Sequence, residues 1–172
     1  MVSPLLRQMR HDVWATEKLL AHLRSLSDEQ LALTAPGAFG TIRRTLQHLV
    51  GADEGYLRKL GVAMPAPGLP DEEDVPLDET AAHLARVRTG VEELFARGEP
   101  DGERMIDDEK RRNPADPPLE LASWLLLTQF SHHGSDHRAQ IGTILGTHDL
   151  AAPSLDVWDY AWEIGGIKEK KR

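Results

Sequence analysis

The 172-residue sequence contains no cysteine. This absence excludes disulfide bonds, thiolate metal ligands and a cysteine nucleophile. It leaves the redox environment open, because a chain without thiols tolerates oxidising and reducing compartments alike. Any thiol chemistry would therefore require a thiol supplied by another molecule.

Positive charge is scarce. The chain has 20 Lys and Arg residues against 28 Asp and Glu residues, which gives a formal net charge of −8. A surface that binds nucleic acid needs clustered Lys and Arg to neutralise phosphates, so this balance argues against a nucleic-acid partner. The one basic run, residues 168–172, is interpreted as a solvated tail.

Targeting and membrane signals are missing as well. The first residues lack the basic-then-apolar layout of a signal peptide, and no apolar run reaches membrane-spanning length. We therefore expect a cytoplasmic protein with no membrane partner. Hydrophobic residues at 40% and charged residues at 28% are ordinary for a soluble globular chain. The length predicts one domain, residues 1–172, around a single core.

Apolar residues recur at helical spacing in five segments, and no segment shows the sustained alternation of an exposed strand. The side chains of Ser and Thr cap the first turn of a helix, so Ser3 and Thr41 mark two starts. The predicted helices run from Ser3-Pro4, from Thr41 to about Gly61, from about Asp78, from near Pro118 to about Gly146, and, as a short last helix, from Ser154 to Ile164.

Two long connections separate these helices. Residues 63–76 are acidic and rich in proline, and residues 98–118 are polar, rich in Gly and Pro, and have room for a short hairpin. Four long helices predict an all-α fold, a four-helix bundle with a short C-terminal helix. Connections this long do not favour a strict up-down-up-down order, and they allow a crossover.

Two histidines one turn apart are the main chemical feature of the sequence. His133 and His137 lie about 40° apart on a helical wheel, on the same stripe as apolar residues such as Phe130 and Ile141. Both imidazoles should therefore point towards the bundle interior. Burying two rings is unfavourable unless their nitrogens are bound, and one divalent metal ion can bind both. The alternative is a pair of core histidines hydrogen-bonded to carboxylates or carbonyls.

The motif differs from the HExxH motif of zinc peptidases, because Gly134 stands where those enzymes carry a general-base glutamate. Peptidase chemistry of that type is not expected. A third ligand should come from another helix, and His48 is the best candidate. The wheel places His48 roughly 130° from the apolar stripe of its own helix, among small residues that could line a cleft, a surface or a close helix crossing.

The other histidines have no partner at ligand spacing. His132 projects about 100° away from His133, towards the bundle edge or solvent. The remaining four are interpreted as surface or helix-end residues with no assigned role: His11, His22, His83 and His148.

Three stretches together resemble one known family. HHGSDHRAQI (residues 132–141) resembles the HxxxHRxQI signature of the DinB-like superfamily, which comprises DinB- and YfiT-type proteins with metalloenzyme-like sites. TIRRTLQHLVGADEGYL (residues 41–57) resembles that family's first histidine segment, and LDVWDYAWE (residues 155–163) its C-terminal element. The match extends along essentially the whole chain. Ala139 stands where the family's commonest form has glycine.

The resemblance implies a four-helix bundle in an up-down-down-up arrangement with a long crossover. It implies that the metal triad is His48, His133 and His137, and that the chain forms homodimers. It also implies a divalent transition metal (zinc, nickel or iron) and a thiol-dependent transferase or isomerase, or a hydrolase, acting on a small-molecule substrate. A low-molecular-weight thiol would then be a cosubstrate.

Candidates for residues that orient the ligands are Asp136 and Gln140, each within a turn of a ligand, and Asp53 on the second helix. None is expected to be catalytic. The alternative function is a stress-associated binding or scaffold bundle in which the metal is structural or incidental.

Overall fold

The computed structural model describes residues 2–70, 73–108 and 117–170. Six helices and one pair of antiparallel strands lie within these ranges. The elements are α1 (Pro4–Leu23), α2 (Asp28–Leu31), α3 (Ile42–Lys59), α4 (Leu77–Phe95), β1 (Met105–Asp108), β2 (Leu119–Ala122), α5 (Ser123–Thr147) and α6 (Val157–Glu163). The all-α prediction is confirmed, since the strands contribute only a small ribbon.

Side-chain caps explain where three of the helices begin. The Ser3 hydroxyl accepts a hydrogen bond from the Leu6 amide, with proline at the first helical position, and Thr41 caps α3 in the same way. The carboxylate of Asp156 caps α6. Both helix starts predicted from Ser3 and Thr41 agree with the structure.

Ion pairs give the relative directions of the outer helices. Arg10, early in α1, pairs with Glu92, late in α4, and Arg24 at the end of α1 pairs with Asp78 at the start of α4. These two helices are therefore antiparallel.

Contacts made by α3 and α5 give the remaining directions. Glu54 on α3 contacts His83 on α4, and Leu57, one turn later on α3, lies at Gly90, two turns later on α4. These helices are therefore parallel. On α5, His137 lies beside His48 of α3 and His133 beside Tyr56, which makes α3 and α5 antiparallel. In chain order the four long helices run up, down, down and up. The connection from α3 to α4 crosses the length of the bundle.

The core fills the space between the four long helices. Its largest fully buried apolar side chains are Met9, Leu19, Leu23, Ile42, Leu46, Leu49, Leu57, Phe130, Ile141, Ile144 and Leu145. Each buried side chain of this size contributes about 1.5–3 kcal/mol relative to an exposed one. This apolar packing holds α3 and α5 together and so fixes the side chains that project from them.

The crossover connection is fastened to the bundle by Gln47. Its amide nitrogen donates to the carbonyls of Pro70 and Glu73, and its side-chain oxygen accepts from the Val75 amide. Gln47 is fully buried, so these bonds are shielded from water. The proline-rich acidic connection is thus held against the outside of α3.

The start of the fourth long helix differs from its prediction. Residues 119–122 form β2 rather than the first turn of α5, and they pair with β1 in the register Met105 to Ala122 and Asp108 to Leu119. A short apolar run does not distinguish a strand from a helical turn by periodicity alone. A short hairpin was considered possible within residues 98–118. Strand β1 lies in this range, and its partner β2 begins directly after it. Residues 109–116 lie outside the described part of the chain.

Smaller differences concern short helices. The four-residue helix α2, which is not among the predicted helices, has a reciprocal capping box between Ser27 and Gln30. The last helix begins at Val157, three residues after its predicted start at Ser154.

None of the described helices is long and apolar enough to cross a membrane.

Candidate metal centre

His133 and His137 project from the middle of α5 towards α3. Their Nε2 atoms are 3.1 Å apart, and the ring centroids are 4.3 Å apart. His137 is buried, with 6% exposure, and His133 is half-buried. The sequence-based expectation that both rings point into the bundle agrees with this placement.

His48 of α3 meets both rings from the opposite side. Its ring centroid is 5.1 Å from that of His133 and 5.0 Å from that of His137. One potential ligand nitrogen from each of the three histidines lies within 4.8 Å of the others. The structure thus places the imidazole of His48, which is half-buried, against the two α5 histidines.

The hydrogen bonds of Gln140 fix the tautomer of His137. The backbone N–H of Phe39 donates to Gln140 Oε1 over 2.9 Å, which identifies this atom as the amide oxygen. The same oxygen is 3.1 Å from His137 Nδ1, so Nδ1 must carry the hydrogen. The lone pair of His137 is therefore on Nε2, which faces His133 and the centre of the cluster.

The donor set fits a divalent transition metal. Two histidine nitrogens bound to one zinc ion at about 2.0–2.1 Å lie about 3.3 Å apart at a tetrahedral angle. The observed separation of the two Nε2 atoms, 3.1 Å, is close to this value. Burial, followed by the neighbouring rings of His137 and His48, lowers the pKa of His133 to about 4. Its neutral form, the one that binds metals, is therefore favoured.

Two aromatic side chains border the cluster. Phe39 stacks on His48 at 4.1 Å between centroids, with planes 16° apart, and makes a T-shaped contact with His137 at 5.4 Å. Tyr56 makes an edge contact with His133 at 5.8 Å. Phe39 is 50% exposed, so one side of its ring faces solvent beside the histidines.

Sequence reasoning missed Phe39, because it lies in the loop Ala35–Gly40 before α3 rather than on a helix face. The available signal was an aromatic residue in a Gly-flanked breaker directly ahead of the helix that carries His48.

The three candidates for orienting residues have different positions. Gln140 contacts a candidate ligand directly, as expected. Asp136 is exposed and accepts a hydrogen bond from the Gln140 amide, one step further from the rings. Asp53 is fully buried and lies near Asp12 and Arg138.

The remaining histidines do not join the cluster. His132 is exposed, in agreement with the wheel. His11, His22 and His148 are bonded to backbone carbonyls of Leu155, Ala151 and Thr34. The interpretation of His83 as a surface or helix-end residue is wrong. It is 6% exposed in the middle of α4, where its Nδ1 lies 2.8 Å from a carboxylate oxygen of Glu54.

A buried ion pair lies behind the two α5 histidines, on the side that faces α1. Arg138 Nη2 is 2.5 Å from Asp12 Oδ1, and Arg138 Nη1 donates to the hydroxyl of Thr16. Burial raises the pKa of Asp12, and the hydrogen bond from Arg138 opposes that rise. Burial also raises the pKa of Asp53 well above its ordinary value, and the charge of Asp12 raises it further.

The fold and the site together define a four-helix bundle with a three-histidine cluster between two antiparallel helices. The chain belongs to the DinB superfamily, whose family model matches residues 11–141. This range contains all three histidines of the cluster. The resemblance drawn from the sequence motifs is confirmed.

A solved structure of the same kind is similar along most of its length. The crystal structure of a DinB-like protein from Bacillus cereus ATCC 10987 has a TM-score of 0.66 to this chain and 22% sequence identity. The match covers 87% of this chain and 94% of that protein. At this identity the likeness shows the fold. Among curated proteins, no significant match is found.

Proposed function

We propose that this protein binds one divalent transition metal through His48, His133 and His137 and uses it to act on a small molecule. The observation that carries the proposal is the convergence of three imidazole nitrogens within 4.8 Å of one another. The tautomer of His137, fixed by Gln140, supports it, because the lone pair is aimed at the cluster centre. Zinc, nickel and iron all accept such ligands, and availability selects among them.

Three histidine ligands would make the proposed site one of catalytic rather than structural type. Structural zinc sites are normally closed by a fourth protein ligand, whereas catalytic sites keep a position for water or substrate. A metal bound by these three histidines would supply water of lowered pKa or a site for a thiolate. In this chain Gln140 would orient His137, and Phe39 and Tyr56 would border the space next to the ion.

The class of reaction is proposed from the family and the composition. Without cysteine, the chain has no thiolate of its own to place on the metal. A thiol-dependent transferase or isomerase reaction would therefore take a low-molecular-weight thiol as cosubstrate, and a hydrolase reaction would use metal-bound water. The net charge of −8 supports a small-molecule substrate over nucleic acid. We further propose a cytoplasmic homodimer, for which exposed Trp124, Trp158 and Trp162 offer apolar surface.

Elemental analysis of protein purified without a metal-affinity tag tests metal binding. The variants are His48→Ala, His133→Ala and His137→Ala, and His132→Ala is the matched control because it is an exposed neighbour on the same helix. We expect about one transition metal per chain in the wild type and in the control, and none in the three variants. No metal in the wild type after reconstitution with zinc, nickel or iron would contradict the proposal.

Activity requires a second experiment. Metal-loaded wild type would be screened with thiol-transfer and hydrolysis substrates, with the metal-free protein and His137→Ala as controls. Turnover by the loaded wild type alone would support an enzyme. A loaded protein that turns over no substrate in either panel, yet melts at a much lower temperature after chelation, would instead support a binding or scaffold bundle with a structural metal.

A further inference from the structure

Two neighbouring columns of residues on α5 face different helices. His133 and His137 form one column and face α3. Gly134 and Arg138, each the next residue in the chain, form the second column and face α1. Because successive residues are 100° apart, the two columns occupy the same two turns of the helix.

Asp12 of α1 contacts both members of the second column. A Cβ atom at Gly134 would lie 2.6 Å from Asp12 Oδ2 and 2.7 Å from Oδ1, closer than carbon and oxygen approach without a bond. The carboxylate therefore rests directly against the helix backbone between the two histidines. Its Oδ1 also pairs with Arg138 Nη2 at 2.5 Å.

The guanidinium of Arg138 is held by several further bonds. Its Nη1 donates to the backbone carbonyl of Asp12 and to the hydroxyl of Thr16, at 3.2 and 2.9 Å, and its Nη2 lies 3.3 Å from the hydroxyl of Ser135. The side chains of Arg138 and Asp12 are 5% and 1% exposed. A buried charge pair with this many bonds is disrupted by small relative movements of its helices.

We infer that Asp12 is a positioning residue for the metal site, acting through Gly134 and Arg138. This inference rests on the proposed metal binding. Imidazole nitrogens lie about 6–7 Å from the helix axis, so a rotation of α5 by about 10° moves them by about 1 Å. Metal ligands must be held to within about 0.5 Å. Asp12 fixes the rotation of α5 at the very turns that carry His133 and His137.

The test is the dissociation constant for Co²⁺, measured by competition with a chelator, together with the visible spectrum of the Co²⁺-loaded protein. We expect Asp12→Asn and Gly134→Ala to weaken Co²⁺ binding by about 10–100-fold, the usual effect of losing an orienting partner, and to shift the absorption bands. Arg10→Gln is the control, because it removes an exposed ion pair from the same helix. Thr16→Val, which removes one acceptor of Arg138, serves if Asp12→Asn does not fold.

A double-mutant cycle identifies the contact itself. Gly134→Ala should weaken binding in the wild type but add less in an Asp12→Ala background, where the two atoms nearest to the new methyl group are gone and Arg138 Nη1, at 2.9 Å, is the close neighbour that remains. Folded variants with wild-type affinity and an unchanged spectrum would overturn the positioning role and leave the metal site intact. No Co²⁺ binding by the wild type would overturn both.

Discussion

Helix α3 takes part in two interfaces that each bury histidine, and the partners of the buried imidazoles differ between the two. Towards α4, the imidazole of His83 is bound by the carboxylate of Glu54, at 2.8 Å, and both side chains are almost fully buried. Towards α5, His48 meets two further imidazoles, and no carboxylate among the described residues hydrogen-bonds to His133 or His137.

The difference shows what distinguishes a structural histidine from a candidate ligand. A carboxylate satisfies an imidazole N–H and makes its burial tolerable. Imidazoles that face one another direct several ring nitrogens towards one point, and such a donor set suits a divalent metal ion. Burial alone does not separate the cases, since His83 and His137 have the same 6% exposure. The chemistry of the neighbouring side chain does.

Breaking the carboxylate–histidine pair should have the largest effect on stability and none on metal binding. We expect Glu54→Ala to lower the free energy of unfolding by about 3 kcal/mol, because it removes one member of a buried pair. Urea denaturation measures the loss, and elemental analysis should give unchanged metal content. Glu92→Ala, which removes an exposed ion pair, should cost less than about 1 kcal/mol. Loss of metal from a folded Glu54→Ala protein would contradict the separation of the two interfaces.

Removing the metal should destabilise only a protein with an intact cluster. A ligand present at 100 times its dissociation constant stabilises the folded state by about 2.7 kcal/mol. Chelation should therefore lower the Tm of the metal-loaded wild type by several degrees and leave that of His137→Ala unchanged. Calorimetry with and without chelator makes the comparison. An equal shift in both proteins would place the stabilising metal elsewhere.

The hydrogen bond between Gln140 and His137 allows a test of how ring orientation affects metal affinity. We expect Gln140→Ala to weaken metal affinity by about 10–100-fold, or about 1.4–2.7 kcal/mol, because His137 loses the acceptor that fixes its tautomer. Asp136→Asn is the matched control, since Asp136 contacts Gln140 but neither ring in the described bonds. Its effect should be several-fold smaller. Equal losses would indicate that charge near the site, rather than ring orientation, controls affinity.

The sequence predicted the cluster better than its surroundings. Spacing of one turn was enough to place His133 and His137 on one face, because helix geometry is local. The position of His48 depended on how α3 crosses α5, which periodicity does not encode, so the wheel alone left it open. The family motif resolved it. The same limit applies to Phe39, which reaches the rings through a loop.

Buried polar partners were the least predictable part. The sequence pattern around His83 does not indicate that Glu54 of another helix contacts it. In the sequence, Gly134 was notable only as a difference from the HExxH motif, and its contact with Asp12 is visible only in the structure. Both are pairwise contacts between distant segments. Helix caps, by contrast, depend on three or four consecutive residues, and those at Ser3 and Thr41 were foreseen.

The smallest predicted effect concerns Asp53, the chain neighbour of Glu54. Both are about 1% exposed, and each has one carboxylate oxygen without a hydrogen-bond partner among the described residues, Oδ1 of Asp53 and Oε2 of Glu54. The other oxygen of Glu54 has His83 as its partner. Burial raises the pKa of Asp53 in the folded state well above the ordinary value of 3.8. As the pH rises through that ordinary value, the unfolded chain loses this proton while the folded chain keeps it. Folding then requires proton uptake, and stability falls with rising pH.

Asp53→Asn removes this titration. Relative to the wild type, the variant should therefore become more stable as the pH rises from about 4 towards neutrality, and any net gain at pH 7 should stay below about 1 kcal/mol because the buried amide has its own hydrogen bonds to satisfy. Urea denaturation of both proteins across this range measures the difference, with exposed Asp107→Asn as the control. A pH-independent difference would mean that Asp53 is ionised in the fold, balanced by Arg138. The buried charge of Asp53 would then be balanced by Arg138, as the carboxylate of Glu54 is bound by His83 on the other side of α3.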